Sequence, residues 1–138
     1  MPILEWKESF NLGVEQFDFS HRKLVELLNK AHDKFVQDSS KDGLADSLEE
    51  FFDYALQHFF AEERYMEEHN YTGYAQHLEL HRSFAAQAEL MQKDLRGVWK
   101  NLPNEKLAFL RDWLAYDILV ADTDYVRFAD GLPRKMCA

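Results

Sequence analysis

Apolar residues recur at intervals of three and four along most of this chain, and that spacing allows little besides helices. Leu24, Leu27, Leu28, Ala31 and Phe35 form one stripe, and Leu48, Phe51, Phe52, Ala55 and Phe59 a second. Phe84, Ala88, Met91 and Leu95 form a third, and Leu107, Leu110, Trp113, Leu114 and Ile118 a fourth. Gly43, Gly73, Gly97 and Pro103 fall between the stripes. The spacing predicts helices over 19–38, 44–69, 73–97 and 104–129, with Asp18 or Ser20 capping the first, Thr72 the third, and Pro103 opening the fourth. Short connections make successive helices antiparallel neighbours. The expected fold is all-α, an up-down-up-down four-helix bundle in one domain spanning 1–138. Trp6, Phe10 and Phe17 give residues 1–17 too many apolar anchors for a free arm, so that leader is expected to pack across the bundle, with 130–138 as a tail.

Sixteen Lys and Arg against 25 Asp and Glu give a net charge of −9, which argues against a nucleic-acid or anionic-membrane partner. No apolar run reaches membrane-spanning length, and the start lacks a basic-then-apolar signal pattern. The one cysteine, Cys137, permits no internal disulfide. A cytoplasmic protein is the expectation.

The histidines carry the chemistry. His58 and Glu62 are four apart on the second helix, and His77 and His81 are four apart on the third, so each pair projects from one face one turn apart. In an alternating bundle these four, with His21 near the start of the first helix and Asp117 and Asp122 on the fourth, fall within roughly 15–18 Å of one end. Buried charges need partners, and no Lys or Arg sits at matching height on those faces. Imidazoles mixed with carboxylates suit a borderline transition metal, and seven donors exceed the needs of one ion. Asp117 and Asp122 are five apart, about 140° around an ideal helix. Both reach one centre only from different sides of it, or where the helix is locally widened. His32 reads as a half-buried, hydrogen-bonded core histidine and His69 as a surface one. Asp124, seven after Asp117, reads as a minor substitute ligand.

These residues resemble the hemerythrin family, and within it the stand-alone bacteriohemerythrins. The resemblance begins with Trp6, Gly13-Val14 and Asp18 ahead of His21, and continues through His58-Phe59, Glu62-Glu63, Met66, Tyr71, His77, His81 and Phe84. It ends with Trp113-Leu114, Ile118, Asp122 and Tyr125. It implies a non-haem centre of two iron ions, oxo- or hydroxo-bridged, that binds dioxygen. By that resemblance His21 and His58 ligate one iron, His77 and His81 the other, and Glu62 and Asp122 bridge them. Leu114 and Ile118 then wall the oxygen pocket with Phe59, and Trp113 packs beside the ligands.

The family places a histidine where this chain has Asp117. Three outcomes are open: Asp117 ligates directly; its shorter side chain leaves a water between or the iron under-ligated; or the site loses one metal. An anionic oxygen donor stabilises the ferric state, so fast autoxidation is expected. The functional readings are a dioxygen-binding protein for transport, storage or sensing; a di-iron oxidase or peroxidase; and an iron-holding module. The first is favoured, with peroxide or nitric oxide as further small ligands and no protein partner named.

Overall fold

A computed structural model describes residues 2–38, 41–96 and 103–129. The predicted tail, with Cys137, lies outside the described residues. The helices are α1 (Glu15–Asp38), α2 (Lys41–Glu68), α3 (Tyr74–Arg96), α4 (Pro103–Tyr116) and α5 (Thr123–Ala129). A π-helical segment, Asp117–Asp122, joins α4 to α5, so these three pieces make the fourth rod of the bundle. Among the described residues there is no strand, and no helix is long and apolar enough to cross a membrane.

The predicted stripes are the buried faces among the described side chains, Leu95 lying outside them. Leu24, Leu28, Leu48, Phe51, Phe84, Leu107, Leu110 and Ile118 belong to one large apolar cluster. A second, smaller cluster of Phe17, Met66, Tyr71, Tyr125 and Val126 packs apart from it. The leader crosses the bundle as expected. Ile3, Leu4 and Trp6 pack against the large cluster, and Phe10, at the end of a 3₁₀ turn (Glu8–Phe10), is buried in it. Asn29 fastens the leader from α1: its side chain accepts from Leu4 N at 3.1 Å and donates to Leu4 O at 2.9 Å.

The start of α1 departs from expectation. The helix begins at Glu15, so Asp18 lies within its first turn and does not cap it. Asp18 reaches back instead, accepting from Leu12 N at 2.7 Å and Gly13 N at 3.2 Å. Gly13, at φ +88°, turns the incoming chain so that both amides face that carboxylate. Ser20 is no cap either; its hydroxyl donates to Gln16 O inside the helix. α3 begins at Tyr74, which puts Gly73 in the capping place predicted for Thr72.

α2 ends in a Schellman-type turn. Asn70 takes φ 52°, Asn70 N–H donates to Glu67 O, and Tyr71 N–H donates to Met66 O. Tyr71 and Met66 then meet in the small cluster, the apolar contact that such ends favour.

Candidate metal centre

Four helical rods deliver seven polar side chains into the space between the two clusters. His21 comes from α1, His58 and Glu62 from α2, His77 and His81 from α3, and Asp117 and Asp122 from the π segment. None is more than 3% exposed. The i, i+4 spacing of both pairs makes this possible on α2 and α3. On the fourth rod the π segment does it, because its hydrogen-bonded step of five residues swings Asp117 and Asp122 toward one side. Of the two routes open to that awkward spacing, the chain takes the widened helix. Thr123 supports the wide turn by donating its hydroxyl to Ile118 O at 3.0 Å.

The carboxylates divide their oxygens between the histidine pairs. Glu62 sets Oε2 3.2 Å from His58 Nε2 and Oε1 3.3 Å from His81 Nε2. Asp122 sets Oδ2 2.7 Å from His21 Nε2 and Oδ1 3.1 Å from His77 Nε2. Two donor groups result: His21, His58, Glu62 and Asp122 in one, and His77, His81, Glu62 and Asp122 in the other, each with its atoms within 4.8 Å of one another. Asp117 belongs to neither group; its Oδ1 lies 3.9 Å from His77 Nε2. Asp124 is buried but also in neither. It follows Asp122 by two residues, roughly 200° around an α-helix, so it cannot share that face.

A metal pair fits these residues. All four Nε2 atoms, Glu62 Oε1 and both oxygens of Asp117 and Asp122 are buried with no hydrogen-bond partner among the described residues. Close nitrogen–oxygen approaches without hydrogen-bond geometry are what donors around a common cation show. Bonds of roughly 2.1 Å at right angles place neighbouring donors about 3 Å apart.

The charges agree. Burial pushes Asp117 well above the usual carboxylate range, helped by Asp122 and Glu62. Burial and the neighbouring Glu62 do the same to Asp122. Burial would raise Glu62 too, but His58, His21 and His81 hold it well below that range. His21 shows the demand from the other side. Burial would lower it, yet Asp122 and Glu62 outweigh that and push it up to about 10. Three carboxylates facing one another in a dry space call for cations.

Two supporting contacts were not read from the sequence. Tyr125 donates its buried hydroxyl to Glu62 Oε2 at 2.7 Å. Its position three after Asp122, on the same helical face, was the available signal. Glu63 Oε2 lies 3.0 Å from His81 Nδ1. It stands about 100° around α2 from Glu62, and nothing in the spacing marks it.

Phe59 stacks on the His81 ring, with centroids 3.9 Å apart and an 8° angle, and Trp113 lies 5.6 Å beyond Phe59. Leu114 and Ile118 are buried in the same cluster as Phe59. His32 is half-buried as expected, but its Nδ1 finds no hydrogen-bond partner among the described residues. His69 is exposed, with Nδ1 2.9 Å from Tyr65 O.

The comparisons with known proteins point the same way. The family model described as the hemerythrin HHE cation binding domain matches residues 12–129. A bacteriohemerythrin of Clostridium acetobutylicum is 30% identical over 125 residues, covering 88% of this chain and 97% of its own. A bacteriohemerythrin of Pseudomonas aeruginosa is 29% identical over 91% of this chain and 81% of its own, and a myohemerythrin of Sipunculus nudus 28% identical over 87% and 88%. A crystal structure of wild-type hemerythrin superposes with TM-score 0.82 at 25% identity, covering 89% of this chain and 95% of that one.

Proposed function

The chain belongs to the hemerythrin family, and on that footing we propose that it holds two iron ions and binds dioxygen. One observation carries the reading: Glu62 and Asp122 each turn one oxygen to the His21–His58 pair and the other to the His77–His81 pair. Carboxylates so placed hold two cations side by side, and imidazoles fill the outer positions. When bound, a reduced iron pair supplies dioxygen with two electrons. The protein's own part is to fix the donors and keep water away. Tyr125 orients Glu62 through its hydroxyl, and Phe59 covers the His81 ring. Leu114 and Ile118, at 1% and 0% exposure, offer the apolar wall that a small uncharged gas favours.

The deciding experiment is iron analysis with an optical spectrum of the oxidised protein. Two irons per chain with oxo-bridge absorption are expected. One iron or none rejects the pair.

Asp117 favours a second reading, an oxidase or peroxidase. It brings a third buried carboxylate beside His77, outside both donor groups. We assign it to the His77–His81 ion, directly or through a water, in place of the family's histidine. The added negative charge favours ferric iron, so reduced protein mixed with air in a stopped-flow instrument should autoxidise quickly. A long-lived oxygenated spectrum assigns the chain to reversible binding instead. Asp117→His should lengthen the lifetime of that spectrum.

A further inference from the structure

The four histidines of the centre are not supported alike. Nδ1 of His21, His58 and His77 is buried and meets no hydrogen-bond partner among the described residues. His81 alone among them has its outer nitrogen engaged, by Glu63 Oε2 at 3.0 Å. The same ring is stacked under Phe59, and its Nε2 faces Glu62 Oε1 at 3.3 Å. Phe59 and Glu63 are four apart on α2, so one face of that helix supplies both the stack and the tether. Glu63 also leads outward, because its side chain is 24% exposed while His81 is 3% exposed.

A carboxylate that accepts the outer N–H of a ligating imidazole fixes its tautomer and makes the inner nitrogen a stronger donor. From this arrangement we infer that Glu63 is a positioning residue that makes the two metal positions unequal. The ion held by His77 and His81 is the harder to reduce, and the first electron entering the oxidised pair settles on the His21–His58 side. Glu63 acts through His81, donates nothing to the metal itself, and its negative charge rather than its mere presence adds to the difference that Asp117 makes at the same ion. The inference rests on the metal-pair reading above and adds to it an order between the two ions.

Glu63→Gln separates charge from shape, since the amide oxygen still accepts from His81 Nδ1, and Glu63→Ala removes both. In iron-loaded protein, spectroelectrochemical titration should show the second one-electron step, reduction of the His77–His81 ion, moving toward the reduced state by about tenfold in Glu63→Gln, about 59 mV. Glu63→Ala should move it at least as far and weaken retention of one ion more than the other. An unchanged second-step potential in Glu63→Gln, with two irons bound, overturns the inference and leaves Glu63 a spacer. If the wild-type chain takes up no iron pair, the metal reading is what has failed. Nitrogen-15 NMR of the metal-free chain then tests the tether alone. A slowly exchanging His81 Nδ1–H, lost in Glu63→Ala, is expected; its absence from the wild type overturns the proposal.

Discussion

The polar layer lies between two apolar regions of different kinds. The large cluster meets it with hydrocarbon and flat rings: Phe59 against His81, with Leu114 and Ile118 in the same cluster. The small cluster meets it partly with a hydroxyl. Tyr125 sits 5.5 Å from the His77 ring, ring to ring, and donates to Glu62, while Phe17 lies edge-on to His58 at 6.0 Å. One side offers no hydrogen bond and can only exclude water. The other encloses the centre and also fixes a carboxylate. A small bundle that buries seven ionisable groups near one end needs both, because the helix ends there would otherwise admit solvent.

The contrast can be tested by breaking each region in turn. Stripping the metals with a chelator should have the largest effect, lowering the melting temperature by on the order of 10 °C through lost binding energy. Calorimetry of loaded and stripped protein measures it, and equal melting temperatures would mean that the polar layer holds itself together. Phe84→Ala strikes the hydrocarbon side only. It should cost about 3–5 kcal/mol in urea unfolding of stripped protein, while the loaded variant keeps its metal content. Tyr125→Phe strikes the hydroxyl side. It should weaken metal retention roughly tenfold in a competition titration and leave the large cluster intact.

The smallest effect concerns Asp117 in stripped protein. Its carboxyl is raised well above 3.8, first by burial and then by Asp122 and Glu62. A raised carboxyl stabilises the fold only while protonated, fully below its unfolded value, and that stability is lost as pH rises through the folded value. Asp117→Asn should therefore stabilise stripped protein at high pH by on the order of 1 kcal/mol. Urea unfolding across a pH series should show the gain shrinking as pH falls and disappearing near pH 4.

Much of this was legible in the chain because helical spacing and height are sums over residue numbers. The stripes at three and four gave the helices, and the positions of His21, His58, Glu62, His77, His81 and Asp122 gave a shared level. Asp117 and Asp122 announced a conflict, two carboxylates 140° apart wanted in one place, without saying which resolution the backbone takes. What could not be read depended on reach. Asp18 resembles a cap in one dimension, and only the turn at Gly13 shows that it binds the chain behind it. Asp124 is in phase with Asp117 on an unbroken α-helix and out of phase once five residues fill a turn. Tyr125 and Glu63 act through single hydrogen bonds; spacing sets Tyr125 on the face of Asp122 but does not encode the bond, and it does not mark Glu63 at all.

The wide turn at Asp117–Asp122 also works as a phase shifter. It inserts one residue beyond the α-helical count, so α5 carries Tyr125 and Val126 into the small cluster rotated about 100° from where an unbroken helix continuing α4 would place them. Wound instead as an unbroken α-helix, the same residues would set Asp117 and Asp122 about 140° apart and Asp117 about 80° from Tyr125. The aromatic plug and the metal-facing carboxylates would then point to different sides, with the composition unchanged. The rod's residue count across six positions is thus as much a part of the site as the donors themselves.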